Sequence, residues 1–350
     1  MKQLHYIVDL QFGSTGKGLL AGKMAEEIRP DTLITAWGPN AGHTYIDAVG
    51  EKYINIALPN GIVSPDLKRI LIGPGSVINP EIMMAEIRQY ERLLDGVEIL
   101  IHPHAAVVTE AMREAERKYG FQIGSTMKGV GEAVINKIRR DPRNINIARE
   151  ALKLHVLEEH VVTEQEYNAA INEAEIAIVE GAQGYSLSIN HGFYPYTTSR
   201  DCTVQQLNVD CGLPRKIGCQ PMVHGVARTF PIRVANRFDD EGKQIGTSGP
   251  CYPDQREITW DELGMKPELT TVTKLPRRIF TFSEQQVAEA ICMNGVDNVF
   301  LNFANYMGDR LDDHYPEKLN EIIDAIDRYA HVRWLGWGPS ALDVEERLYD

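Results

Sequence analysis

"LHYIVDLQFGSTGKGLLAGKMAEEI", residues 4–28, decides the fold. Its opening LHYIVDLQF (4–12) reads as a buried strand, and KGLLAGKMAEEI (17–28) reads as an amphipathic helix. Between them stands GSTGKG (13–18), and strand, glycine-rich turn and helix in that order are the grammar of a phosphate-holding loop. The glycines let the backbone approach phosphate oxygens. The N–H groups at the helix start point at the anion, and Lys17 adds a point charge. Gly18 follows the lysine, so the stretch departs from the full GxxxxGK[ST] pattern. Taken alone, these residues also fit a plain strand-to-helix turn.

Working outward, the same alternation repeats. TLITAWG (32–38), RILIGPGSVI (69–78), VEILIHPHAAVV (97–108), AEIAIVEGAQG (174–184) and DNVFLNFAN (297–305) are strand-like. PEIMMAEIRQYERLL (80–94) and EAMREAERKYG (110–120) are helical. Strands alternating with helices of this length predict an α/β domain around a mostly parallel central sheet, with helices on both faces. In such sheets ligands sit beyond the carboxyl ends of the strands, where the glycine-rich and polar stretches of this chain fall. No repeat or low-complexity segment interrupts residues 1–350, and 237–268 reads as an irregular excursion. The expectation is one catalytic domain with irregular active-site loops.

Composition narrows the function classes. Net charge is −13, from 49 acidic and 36 basic residues, so sequence-independent binding to a nucleic-acid backbone is disfavoured. Apolar residues make up 43% and charged residues 24%, as in a soluble globular protein. The five cysteines are odd in number and form no CxxC pair, which points to reduced thiols rather than a disulfide frame or zinc site. Neither an 18-residue apolar run nor a signal segment is present, and the expected place is the cytoplasm.

Four further stretches carry chemistry. In WGPNAGHTY (37–45), a loop histidine between Gly42 and Thr44 could donate a proton to a ligand oxygen; a loop histidine can equally be a packing residue. IGSTMKGVGEAVINKIRR (123–140) is a second glycine- and hydroxyl-rich turn leading into a basic helix. It suits another phosphate or a capped, solvated helix. VEGAQGYSLSINHGFYPYTTSRD (179–201) offers amide, hydroxyl and aromatic groups beyond what a connecting loop needs, and reads as a ligand surface. TTVTKLPRR (270–278) sets hydroxyls beside adjacent arginines, a cradle for a dicarboxylate or phosphate, or else a basic surface loop.

These stretches, in this order, resemble the adenylosuccinate synthetase family over residues 9 to 340. GSTGKG resembles the family's GDEGKG, NAGHT (40–44) is identical to its NAGHT, and IGSTMKGVG resembles its IGTTGRGIG. EGAQG (180–184) and HGFYPYTTS (191–199) resemble its EGAQG and HGTYPYVTS. The family joins L-aspartate to a purine nucleotide. A nucleoside triphosphate phosphorylates the purine 6-oxygen, and the aspartate amine then displaces phosphate.

The resemblance implies roles by position. His43 is the general acid that stabilises the transferring phosphoryl group, Gln183 orients the purine edge, and Lys17 holds triphosphate. Gly13, Ser14, Thr15, Gly16 and Gly18 belong to the same phosphate grip, with Ser14 and the Gly42 carbonyl at the Mg²⁺ position. Thr44, Arg277, Asn302, Phe303, Ala304, Asn305, Gly336, Trp337 and Gly338 complete the donor-nucleotide side. Asn40, Ser125, Thr126, Thr198 and Val234 face the acceptor nucleotide, with Arg140 supplied across a homodimer interface. Thr271, Val272, Thr273 and Arg277 match the loop over aspartate.

Three departures from the family pattern refine the substrate. Ser14 stands where the family has an aspartate that is both base and Mg²⁺ ligand, and a shorter, neutral group leaves room for the 2-amino group of guanine. Leu275 stands where an arginine meets the ribose 2′-hydroxyl, which permits a deoxyribonucleotide. Asn305 replaces the carboxylate that reads the guanine of GTP, and an amide can donate to and accept from adenine. Together they imply a bacteriophage branch of the family that uses dGMP, L-aspartate and ATP (or dATP) with Mg²⁺. The alternatives are an ordinary member using IMP and GTP, and a non-catalytic nucleotide-binding homologue.

Overall fold

The computed structural model describes residues 1–270, 274–308 and 314–347. Nine strands form the central sheet: β1 (Gln3–Asp9), β2 (Thr32–Thr35), β3 (Arg69–Ile72), β4 (Glu98–Ile101), β5 (Ile176–Glu180), β6 (Met222–Arg228), β7 (Asn298–Asn302), β8 (His331–Gly336) and β9 (Val344–Glu346). Their order is β9-β8-β7-β6-β1-β5-β2-β3-β4. Every neighbouring pair is parallel except β8 and β9, which are antiparallel.

Alternation along the strands explains why helices cover both faces. On β1, Tyr6 and Val8 enter one buried cluster and Ile7 enters the other. On β5, Ala177 and Val179 go with the first face and Ile178 with the second. A strand apolar on both sides needs a cover on each, which is the parallel-sheet solution. Helix α1 (Lys17–Ile28) covers the second face through Leu20, Met24 and Ala25. Helices Glu284–Asn294 and Glu317–Asp327 cover the first through Val287, Ile291, Leu319 and Ile323. Among the described residues, no helix is long and apolar enough to cross a membrane.

Several elements are shorter than the sequence pattern implies, each for a local reason. The first strand stops at Asp9 because its carboxylate turns back to accept from the N–H groups of Gln11 and Gly13. The run 69–78 splits into β3 and a two-residue strand Val77–Ile78, with Pro74 in the break unable to donate to a ladder. Pro103 lies in the break between β4 and Ala106–Val107 in the same way. His43, expected on a loop, instead opens a strand, His43–Ile46, paired in a hairpin with Lys52–Asn55. Gly42 and Thr44 flank a residue that follows a bend, and the loop reading missed that YIDAVGEKYIN closes on itself.

Candidate active site

The phosphate loop is built around Asp9 at the carboxyl end of β1. One carboxylate oxygen accepts from the N–H of Gln11 at 2.9 Å and of Gly13 at 3.1 Å. The other accepts from the Thr15 hydroxyl at 2.5 Å and the Lys17 ammonium at 2.9 Å. Lys17 also donates to the Gln183 carbonyl at 2.7 Å, which ties the loop to the segment after β5. Both members of the Asp9–Lys17 pair are buried. At the start of α1 the Leu19 and Leu20 N–H groups both donate to the Gly16 carbonyl, at 3.0 and 3.2 Å, and the helix N-terminus directs its positive dipole end at the loop. At Gly16, φ is +108°, and an added Cβ would lie 2.2 Å from Asn302 Nδ2, so only glycine lets the loop pass that amide.

The hairpin places His43 over this loop. An added Cβ at Gly18 would lie 2.9 Å from the backbone N and O of Thr44, so glycine lets α1 approach the strand that carries the histidine. His43 Nδ1 lies 2.6 Å from Glu180 Oε1, and Glu180 Oε2 accepts the Asn60 N–H at 2.8 Å. With Nδ1 bound to a carboxylate, Nε2 is the ring nitrogen left to act on a ligand. Trp37 meets the imidazole edge-on, with ring centroids 4.5 Å apart. Burial pushes the His43 pKa below the ordinary imidazole value, against the pull of Glu180.

A cleft of about 510 Å³, counted with its open mouth, lies beyond the ends of β1, β2 and β5. Asn40, Gln183 and Thr198 line it together, as the sequence predicts, with Asp9, Trp37, Val130 and Arg200. Ser125 and Thr126 lie on the turn before helix Val130–Arg139, whose first residue reaches the cleft. The Ser125 hydroxyl donates to Glu116 at 2.9 Å and accepts from the Met127 N–H at 3.0 Å. Val234 packs beside this turn, 3.0 Å from a Cβ built on Gly124. Arg140 is exposed at the other end of the helix, about 15 Å along its axis from the cleft. The structure therefore does not bring Arg140 to the cleft of its own chain.

On the donor side, Asn302 is spent on structure: its Nδ2 donates to the Thr15 carbonyl at 3.0 Å and its Oδ1 accepts from the Phe303 N–H at 2.8 Å. An added Cβ at Gly336 would lie 2.1 Å from Asn302 Oδ1, so this amide is clamped between the phosphate loop and the end of β8. Ala304 is buried, whereas Asn305 is exposed. Trp337 donates from Nε1 to Glu345 at 2.8 Å, and Gly338 sits against Asp343. Arg277 is half-buried, and burial lowers its pKa. Leu275 is 39% exposed and its N–H donates to the Thr270 hydroxyl at 3.1 Å. Thr271, Val272 and Thr273 lie outside the described residues.

Backbone strain marks the same segments. Eight described residues other than glycine have positive φ, and six of them stand in the segments singled out by the sequence: Ser14, Met127, Arg140, Gln183, Lys274 and Phe303. Such conformations cost about 1–3 kcal/mol each and persist where surrounding structure imposes them. Ser14 at φ 57° is exposed.

Sequence reasoning missed four charged residues that build the site: Asp9, Glu180, Arg228 and Glu268. Asp9 and Glu180 had a signal, since each is an acid closing an otherwise apolar strand just before a glycine turn. Arg228 and Glu268 had none, because their pairing spans distant segments. Asp9 and Glu180 each have a partner on both carboxylate oxygens, and among the described residues no group of three or more His, Cys, Asp or Glu side chains is placed to hold a metal. The exposed Ser14 hydroxyl and Gly42 carbonyl are neutral oxygen donors, which fit a Mg²⁺ that arrives on nucleotide phosphates rather than a resident ion.

The adenylosuccinate synthetase family model matches residues 6–161 and 143–313. The chain is 47% identical over 368 residues to the N6-succino-2-amino-2'-deoxyadenylate synthase of Salmonella phage PMBT28, covering 98% of this chain and 97% of that one. The Pyrococcus horikoshii adenylosuccinate synthetase is 28% identical, over 93% of this chain and 92% of its own. The solved cyanophage S-2L succinoaminodeoxyadenylate synthetase, bound to dGMP and dATP as an energy donor, superposes with a TM-score of 0.90 at 46% identity, covering 99% of this chain and 95% of that one. The fully ligated Plasmodium falciparum adenylosuccinate synthetase shares the fold, with a TM-score of 0.76 at 21% identity over 98% and 99% of the two chains. This chain belongs to the adenylosuccinate synthetase family.

Proposed function

We infer that the chain joins L-aspartate to the 6-position of dGMP, with ATP or dATP as phosphoryl donor, to give 2-amino-2'-deoxyadenylosuccinate and phosphate. The names of the phage relatives, and the dGMP and dATP in the cyanophage structure, support this reading. The observation that carries it is Ser14, a neutral side chain exposed at the tip of the phosphate loop. Asp9, Glu180 and Glu268, the acids around this loop, are each engaged by other partners, which leaves no free carboxylate to crowd the guanine 2-amino group.

In this reading Lys17 and the start of α1 take the triphosphate, and Gln183 and Asn40 orient the purine and its phosphate. The ring N1–H passes its proton to solvent or a substrate phosphate as the 6-oxygen attacks the γ-phosphorus, and ADP (dADP from dATP) leaves. The aspartate amine then attacks the purine C6, and inorganic phosphate leaves. His43, held through Nδ1 by Glu180, offers Nε2 to the charge that develops on the transferring group. The triphosphate's negative charge beside the ring favours its protonated, donating form. The Ser14 hydroxyl and Gly42 carbonyl would hold Mg²⁺, which would neutralise charge on the phosphates.

Arg140 serves a neighbouring subunit. Its exposure, with Ile135 39% and Ile138 68% exposed on the same helix, supports a homodimer through this surface. The enzyme works in the cytoplasm, where its nucleotides are. The test is phosphate release from ATP by the purified chain with Mg²⁺. Release that requires both dGMP and aspartate supports the reading. Nucleotide binding without release makes the chain a non-catalytic homologue.

A further inference from the structure

Two carbonyls of the phosphate loop are held from behind, by donors on strand ends far away in sequence. Arg228, the last residue of β6, is fully buried, and its Nη1 donates to the Ser14 carbonyl at 3.1 Å. Asn302, the last residue of β7, donates from Nδ2 to the Thr15 carbonyl at 3.0 Å. In a trans peptide the carbonyl and the N–H that follows it point in opposite directions. A Ser14 carbonyl held toward β6 therefore sends the Thr15 N–H the other way, and a held Thr15 carbonyl does the same for the Gly16 N–H. Positive φ at Ser14 (57°) and Gly16 (108°), with Thr15 outside that region between them, is the alternation that gathers successive N–H groups into an anion cradle. Among the described residues, none accepts from the N–H groups of Thr15, Gly16, Lys17 or Gly18.

Arg228 is fixed on every side. Its backbone N–H and carbonyl are both held by the Gln11 side-chain amide, at 2.9 and 3.1 Å. The guanidinium lies over the Phe303 ring, 3.8 Å from its centroid. Nη2 and Nη1 meet Glu268 Oε1 and Oε2 at 2.5 and 3.4 Å, and the Tyr306 hydroxyl donates to the same Oε1 at 3.1 Å. Glu268 balances the charge of Arg228, as Asp9 balances that of Lys17. Neither buried cation brings unbalanced charge to a triphosphate, so the direction of the N–H groups carries more of the grip. A buried ion pair adds little stability over an apolar filling of equal size, so stability alone gives no reason for Arg228. Its tie to Ser14 does, because a left-handed serine persists only where its surroundings impose it.

We propose that Arg228 and Asn302 are positioning residues for the phosphoryl donor: by holding the Ser14 and Thr15 carbonyls behind the loop, they aim the Thr15 and Gly16 N–H groups at the phosphates. Neither side chain touches a reacting atom. Donors set in advance need no rearrangement as charge moves during phosphoryl transfer, which is where such a hold acts on the reaction.

This rests on the reading of 13–18 as the grip on the donor's phosphates, and the experiment separates the two. Calorimetry measures the Kd of the full chain, with Mg²⁺, for a non-hydrolysable ATP analogue and for dGMP. Inorganic tripolyphosphate is scored by its displacement of the analogue. Arg228→Met should weaken the analogue and tripolyphosphate about tenfold or more, the scale of a lost hydrogen bond to a charged group, with the dGMP Kd within about twofold of wild type. Asn302→Leu, close in shape but without a donor, should do the same. Arg228→Lys keeps a charge for Glu268 but cannot fork to Ser14 as well. It should therefore resemble Arg228→Met, and it carries the test if Arg228→Met does not fold. Thermal melts report folding, and in turnover the KM for ATP should rise with the KM for dGMP unmoved. Folded variants that bind the analogue like the wild type overturn the proposal. So does full affinity in Arg228→Lys, since charge alone would then suffice. A loss seen with the analogue but not with tripolyphosphate would place the effect on the base side through Phe303 and overturn it as well. Parallel weakening of dGMP would make both residues merely structural. A wild type that binds neither the analogue nor tripolyphosphate overturns the loop reading beneath the proposal.

Discussion

Asp9→Asn is the change that should damage this protein most for a single atom exchanged. In the native loop each carboxylate oxygen serves two donors: Gln11 and Gly13 N–H on one, the Thr15 hydroxyl and Lys17 ammonium on the other. An asparagine has one oxygen and one NH₂ group. With its NH₂ toward Lys17, the Thr15 hydroxyl and the Lys17 cation face a donor; flipped, two backbone N–H groups do. Either way two buried donors lose their acceptor, and one orientation leaves the Lys17 charge facing an NH₂ group. Removing one partner of a buried ion pair costs about 3–5 kcal/mol, a fifth or more of the roughly 5–15 kcal/mol by which a folded domain is stable. Thr15→Ala is the control, because it deletes one donor and leaves the carboxylate with three; loss of one charged hydrogen bond costs about 1.5–3 kcal/mol. Urea unfolding followed by tryptophan fluorescence gives both numbers. An Asp9→Asn penalty no larger than that of Thr15→Ala would refute the idea that Asp9 organises the phosphate loop.

Gly16→Ala should raise the ATP Kd at least tenfold, because φ +108° and the Asn302 amide at 2.2 Å both exclude a Cβ; calorimetry with an unchanged Kd would contradict it. Asn305→Asp should shift the ATP-to-GTP ratio of kcat/KM toward GTP by tenfold or more, since a carboxylate accepts from both guanine N–H groups, and an unmoved ratio would remove Asn305 from base reading. The stacked pair His5 and His224 should make the fold acid-sensitive. Burial holds both folded pKa values below 6.5, His224 at about 3, with the neighbouring His5 and Arg333 lowering it further and Arg333 adding to the depression at His5. The unfolded chain therefore binds more protons, so stability present above pH 6.5 is lost as pH falls below it, at about 1.4 kcal/mol per pH unit for each proton. Urea unfolding between pH 7 and 5 should show a shallower loss for His224→Gln than for the wild type, and identical slopes would rule the pair out.

The sheet was legible because its central strands are apolar on both faces, and β1 with GSTGKG gave strand, turn and helix in one stretch. Strands β6, β8 and β9 were not read, since MVHGVAR and HVRWLG mix His and Arg into their apolar runs and look polar in isolation. Their polar side chains are satisfied in place: Arg228 finds Glu268, and His224 finds His5. The cleft was half legible. Asn40, Gln183 and Thr198 converge on it as the motifs imply, whereas the orientation of His43 depends on Glu180, 137 residues away in sequence. Local periodicity carries no information about such a partner. Asn302 shows the converse: read as part of the donor-nucleotide side, its side chain is committed to the fold by close packing against Gly16 and Gly336.

The central claim is a choice of substrates, and a competition measures it directly. Equimolar dGMP, GMP and IMP are offered with aspartate and Mg²⁺, with ATP and GTP both present, and products are resolved by mass spectrometry. The account predicts succinylated 2-amino-2'-deoxyadenylate as the dominant product, with ADP formed in step with it and GDP scarce. Succinylated product from IMP with matching GDP, and none from dGMP, would contradict it.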